Sequence, residues 1–250
     1  MASPSTPDHA DAGLWLPVKR ARAHELVIEV IEDRILSGTL QVGDALPPER
    51  ELAANLEVSR AGVREAVRVL ESQGVLRSQP GAGAAAGTFV AALPREALSR
   101  FLRLHVALSN FTIEDVTEAR IVLERASAAS ATRRLTDVAR TRIADALAAG
   151  DTALGDRVAF NEADTRFHLA IADASGSSLS AALTGAIREA VRIPLLHAIE
   201  RKTEWSDQSA QLQREHHAIF EAIIAGDAEH AADVTEAHIR RASSALFTED

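Results

Sequence analysis

From Pro94 to Asp250 almost every segment of this chain reads as helix, interrupted only by short groups of breaker residues. The breaks fall at 109–112, 136, 150–155, 175–178, 203–206 and 226. They predict seven helices, roughly 96–108, 113–134, 137–149, 156–174, 178–200, 207–225 and 227–246. Connections of a few residues between long helices imply antiparallel neighbours in a compact bundle. The predicted fold class is therefore mainly α, with a region of different character ahead of the bundle.

That region starts near Glu25, where Leu26, Val27, Val30, Ile31 and Ile35 form an apolar stripe at helical spacing, ended by Gly38. Pro47 and Pro48 then suit the start of a short helix with Leu52, Ala53 and Leu56 inward. After a brief turn, Ser59 can cap a second helix that turns Val63, Val67 and Leu70 inward and stops at Gly74. Two short helices joined by a tight turn are a helix-turn-helix signature. VLRSQ and TFVAAL follow as two short strands around PGAGAAAG, a hairpin that makes a wing. The expected organisation is a disordered tail over 1–18, a winged helix-turn-helix of three helices and a hairpin over 19–93, and an all-helical domain over 94–250.

Charge and composition narrow the function. The chain has no cysteine, so disulfides, thiolate metal sites and cysteine nucleophiles are excluded, and any metal must be held by histidine and carboxylate. Its net charge is -9, yet residues 19–95 carry ten Lys/Arg against ten Asp/Glu while residues 96–250 carry 17 against 24. The acidity thus belongs to the bundle, and the N-terminal part can present a basic face. No run approaches the length of a membrane span and no secretory leader is readable, so a cytoplasmic protein with no membrane partner is expected.

In a helix-turn-helix the second helix enters the major groove N-terminus first. Its opening turns hold Arg60 and Arg64, four residues apart and opposite Val63 and Val67; arginine pairs bidentately with guanine or clamps phosphate. Arg50, at the start of the preceding helix, is placed for a backbone phosphate, and Ser59 for a phosphate at the helix terminus. Taken alone, two arginines at this spacing are ordinarily a solvated face; the surrounding helices and hairpin favour the DNA-reading role.

In the bundle, Asp164 and His168 share one helical face in NEADTRFHLAIADASG, and His216 and His238 lie on the last two predicted helices. A carboxylate and three imidazoles gathered in a core would bind a divalent metal. Spacing alone leaves two other readings open, since nine histidines are present and lone helical histidines are ordinarily hydrogen-bonded or solvated. A metal-bound water could also be hydrolytic, although no general base stands at a motif spacing.

The run LPPERELAANLEVSRAGVREAV, with ESQGVLR after it and GTFV closing the wing, resembles the winged-helix domain of the GntR family of bacterial repressors. The resemblance implies DNA contacts from Arg50, Arg60 and Arg64 and from the wing glycines Gly81 and Gly83, although the Ala-rich wing loop departs from the compact family form. The second half resembles the FCD ligand-binding domain of the FadR subfamily, through EARIVLERASAASA, DTRFH with its SGS turn, EHHAIFEAIIAGDAEHA and the late His238. That resemblance implies metal ligands at Asp164, His168, His216 and His238, with His217 turned away by its 100-degree offset. It implies a divalent ion such as Zn, Ni, Mn or Fe, and a small carboxylate metabolite as effector, with Arg120 either pairing with that carboxylate or held by Glu124. A homodimer on palindromic operator DNA, repressing until the effector binds, completes the expectation; a metal-free regulator responsive to acyl-CoA or another apolar ligand is the alternative.

Overall fold

The computed structural model describes residues 23–81, 86–92, 95–108 and 110–247. The tail expected over 1–18 and the wing residue Gly83 lie outside the described residues. The chain divides into two compact units, one ending at Leu93 and the other beginning at Pro94, and each is described by itself.

The first unit is built from α1 (Ala23–Leu36), α2 (Glu49–Asn55), α3 (Arg60–Ser72), β1 (Leu76–Gln79) and β2 (Gly87–Val90). Its core joins Val27 and Ile31 of α1 to Ala53 of α2, Val63, Val67 and Leu70 of α3, and Leu76 and Val90 of the strands. The stripe on α1 has a different phase from the one expected. Leu26 is 46% exposed and Ile28 packs on the core in its place. One residue turns a helix by about 100 degrees, so a face centred on Val27 and Ile31 includes Ile28 and Ile35 and leaves Leu26 outside. The strands pair antiparallel with Leu76 opposite Val90, and the segment before α2 runs beside β2, where Leu46 N donates to Thr88 O at 2.8 Å. Two strands alone bury too little to be stable; the flanking segment and α3 supply the apolar face that they need.

The second unit is helical throughout: α4 (Arg95–Ala107), α5 (Ile113–Arg134), α6 (Asp137–Thr152), α7 (Arg157–Ala174), α8 (Ser178–Glu200), α9 (Trp205–Ile224) and α10 (Ala228–Phe247). Side-chain caps start five of them, α10 through Asp227, whose Oδ1 accepts His230 N at 3.0 Å. Thr112, Thr136, Asp156 and Ser177 each accept a backbone N–H of the following first turn. Two apolar clusters fill the bundle. One gathers Ile143, Leu147, Phe167, Ile171, Ile219 and Ile223. The other gathers Phe160, Ile199, Trp205, Leu212 and Leu246. Together with the winged unit this confirms the expected class, mainly α with a two-stranded wing.

One helix boundary departs from the expectation for a reason that bears on function. Gly150 does not stop α6, which continues to Thr152, and Gly150 is buried inside it. A Cβ at this position would collide with Gln213 Oε1, so the missing side chain is the space into which Gln213 of α9 fits. No described helix is long and apolar enough to cross a membrane.

Candidate functional site

In the winged unit, α3 is the exposed second helix of the helix-turn-helix. Ser59 Oγ accepts Gly62 N at 3.1 Å and so fixes the first turn. Arg60 and Arg64 follow on the face away from Val63 and Val67, and both are exposed. Arg64 Nε also reaches Glu49 Oε2 of α2 at 3.5 Å, an exposed pair worth little in water. Arg50 is exposed on α2, and Gly81 is exposed just beyond β1. Two further arginines lie on α3 and β1. Arg68 is exposed one turn after Arg64, and Arg77 of β1 lies over the Phe89 ring, 5.1 Å from its centroid. Arg68 continues the spacing of four set by Arg60 and Arg64.

In the helical unit, Asp164 and His168 of α7, His216 of α9 and His238 of α10 meet at one point. Each offers a ligand atom, and the four atoms all lie within 4.8 Å of one another. The three histidines are buried and Asp164 is nearly so. His217, the neighbour in sequence, faces outward and reaches Asp151 Oδ1 at 2.9 Å.

The partners of the imidazoles define what the cluster can do. His168 Nδ1 is 2.7 Å from Glu124 Oε2, His238 Nδ1 is 2.9 Å from Glu215 Oε2, and His216 Nδ1 is 3.2 Å from Gln213 Oε1. All three acceptors are oxygens, so each Nδ1 donates, and in the neutral ring Nε2 then keeps its lone pair. Gln213 is itself oriented, since its Nε2 donates to Leu147 O at 2.8 Å and to Asp151 Oδ1 at 2.9 Å. Nε2 of His168 and of His216 are buried without any hydrogen-bond partner. His216 Nε2 lies 3.1 Å from Asp164 Oδ1, a lone pair facing a carboxylate oxygen. Burying two acceptors against each other is unfavourable unless a cation lies between them. The donor set, its outer hydrogen bonds and these orphaned nitrogens therefore fit a divalent metal.

A second layer of charge holds this arrangement. Arg188 of α8 is buried, with Nη1 2.7 Å from Asp164 Oδ2 and Nη2 2.8 Å from Glu124 Oε2. Burial works to raise the Asp164 and Glu124 carboxyls, but the opposing contributions together outweigh it, Arg188 first among them in both, joined by His216 and His168 at Asp164 and by Arg120 and His168 at Glu124, and hold both well below the usual carboxylate range. His168 is lowered too, but here burial is the cause: reinforced by Arg188, it pushes the imidazole down to about 3. It is therefore neutral at physiological pH. Arg120 Nε pairs with Glu124 Oε1 at 3.0 Å, the intrahelical bridge that its spacing allowed, and Arg120 also lines a cavity beside the cluster. The sequence reading missed Arg188 and the dual role of Glu124. Arg188 shares the stretch SLSAALTGAIREAVRIPLL with Glu189 and Arg192, so nothing local marked it out.

Similarity to known proteins agrees with both halves. The family described as "Bacterial regulatory proteins, gntR family" matches residues 24–85, and the "FCD domain" matches residues 115–241. The chain is 31% identical over 222 residues to the putative L-lactate dehydrogenase operon regulatory protein of Escherichia coli, covering 87% of this chain and 84% of that one. It is 30% identical over 220 residues to the transcriptional regulator LutR of Bacillus subtilis, covering 85% and 95%, and 27% identical over 233 residues to the transcriptional repressor NanR of Klebsiella aerogenes, covering 91% and 86%. The solved structure titled Streptococcus agalactiae GntR shares the fold, with a TM-score of 0.58 at 23% identity over 87% of this chain and 98% of that one. With a helix-turn-helix and wing in one unit and an effector-type helical bundle in the other, this chain belongs to the GntR family of bacterial regulatory proteins, in its FadR-like form with an FCD domain, and is a DNA-binding transcriptional regulator rather than an enzyme.

Proposed function

We propose that this regulator is a repressor that binds a palindromic operator as a homodimer in the cytoplasm, and that a small carboxylate bound beside a divalent metal sets its operator affinity. Arg60 and Arg64 read the major groove, Arg50 and Ser59 hold phosphates, and Gly81 and Gly83 let the wing approach the minor groove. Dimerisation follows from the few base pairs that one recognition helix can read. The printed name of the Klebsiella relative, a repressor, supports the sign.

Asp164, His168, His216 and His238 would hold the metal, and the observation that carries this is the pair of buried, partnerless Nε2 atoms beside Asp164 Oδ1. Such an ion supplies concentrated positive charge in a water-poor cavity. The surrounding charges explain why the effector is an anion. Arg120 and Arg188 already balance Glu124 and Asp164, and the three imidazoles are drawn as neutral donors, so a divalent ion leaves positive charge in excess. Arg120 offers the effector its two terminal nitrogens, which carry no hydrogen bond among the described residues.

Metal content of the purified, untagged protein tests this reading. About one ion per chain in the parent, lost in His168→Ala and in His216→Ala, is the expected result; a metal-free parent that stays empty after incubation with divalent cations would overturn it.

A further inference from the structure

The cavity beside the metal-site residues holds about 40 Å³ of solvent space, room for about three water molecules. A carboxylate larger than acetate needs more, so a wall has to give way for one to reach the cluster. Helices α5, α7, α9 and α10 contribute Arg120, Asn161, Trp205 and His238 to that wall. Each of these helices also carries a residue of the cluster or its partner Glu124, so moving any of them would pull the donor set apart. Helix α8 contributes Leu195 and Ile199, and neither side chain belongs to the cluster.

Three features divide α8 where this wall begins. Arg188 pins the first part through its ion pairs with Asp164 and Glu124. Pro194 then stands inside the helix. It has no N–H to give the Ala190 carbonyl, and its ring crowds that carbonyl, so the helix bends most easily here. Beyond Pro194 the end of α8 is fastened by a side chain of another helix. Arg157 of α7 donates from Nε to Ile199 O at 3.3 Å and from Nη2 to Lys202 O at 2.8 Å. Beside that clasp, Ala198 and Ile199 are buried in one cluster with Phe160 and Trp205.

We infer that the segment Leu195–Glu200 is a lid over the metal-site cavity, hinged at Pro194 and latched by Arg157, which opens to admit the effector and closes over it. What enters rests on the carboxylate reading given above; the lid itself does not. Opening carries Leu195 and Ile199 away from the cavity, while the part of α8 that holds Arg188 stays in place and keeps Asp164 and Glu124 neutralised.

Amide hydrogen exchange on the full-length protein, without added metal or carboxylate, tests the hinge. The helical bonds of the Leu195, Leu196 and His197 amides span Pro194. These amides are expected to exchange on the order of tenfold faster than those of Ile187–Val191 in the same helix. Pro194→Ala, which restores the bond to Ala190 O, should slow them about threefold to tenfold. Arg157→Ala should speed them by about tenfold, and Arg157→Lys by less. Zinc-loaded protein tests the lid. Release of zinc to excess chelator should follow the same order, fastest in Arg157→Ala and slowest in Pro194→Ala, with equilibrium zinc affinity unchanged, because no residue of the cluster lies in the lid. Even exchange along α8, unmoved by Pro194→Ala, would overturn the hinge. Release rates that stay constant, or that change only as the affinity changes, would overturn the lid. A parent that takes up no divalent ion would overturn the metal reading and not the hinge, which the exchange result decides.

Discussion

Arg188 lies at the point where charge, burial and the candidate metal site meet. Its guanidinium neutralises Glu124 and Asp164, and removing one member of such a buried set leaves charge without a partner. Arg188→Met is therefore expected to lose about 3–5 kcal/mol of stability in a denaturant titration. Arg188→Lys, which keeps the charge but cannot fork between two carboxylates, should lose less. Gly150 acts at a distance through Gln213. An added methyl displaces the amide that orients His216, so Gly150→Ala should weaken metal binding about 10- to 100-fold in a chelator competition, with the four ligands intact. Unchanged metal affinity in that variant would mean that the Gln213 contact does not orient His216.

Elements in this protein begin where a short polar side chain closes the first turn. Thr112 and Asp115 form a capping box at α5, the helix that carries Arg120 and Glu124. The Thr112 hydroxyl and backbone N–H both donate to Asp115 and hold its carboxyl below the ordinary aspartate value. A carboxyl lowered by folding stabilises the fold above its unfolded value, and this contribution is lost as pH falls through the folded one. Asp115→Asn should accordingly lower Tm at neutral pH, and the difference from the parent should shrink as pH drops below the usual aspartate range; a constant difference across that range would rule out the ionic contribution. Helix existence was legible from sequence at this scale because caps and breakers are local. Helix phase and ends were not always so. Leu26 and Ile28 are equally apolar, and only α3 and the wing decide which of them is covered; Gly150 reads as a stop until Gln213 occupies its missing side chain.

The whole molecule divides into two units with separate cores, and its responses should divide likewise. Removal of metal is expected to lower the calorimetric transition of the helical unit and leave that of the winged unit in place, since a ligand stabilises only what binds it. Arg60→Ala and Arg64→Ala should each cost about 1–3 kcal/mol of binding to a selected operator, with no change in Tm. Unaltered affinity in both would remove α3 from the groove. The sequence by itself determined the two-part plan, the helix-turn-helix with its arginines, and the run of helices, because periodicity, capping and turn chemistry act over a few residues. The resemblance of its second half to the FCD domain also singled out Asp164, His168, His216 and His238, which spacing alone does not distinguish among nine histidines and many carboxylates. Only the tertiary structure decided that these four meet, that Arg188 and Glu124 hold them, and that Asn161 and Trp205 share their cavity. Those relations join α5, α7, α8, α9 and α10, and no local signal reports where helices far apart in sequence cross.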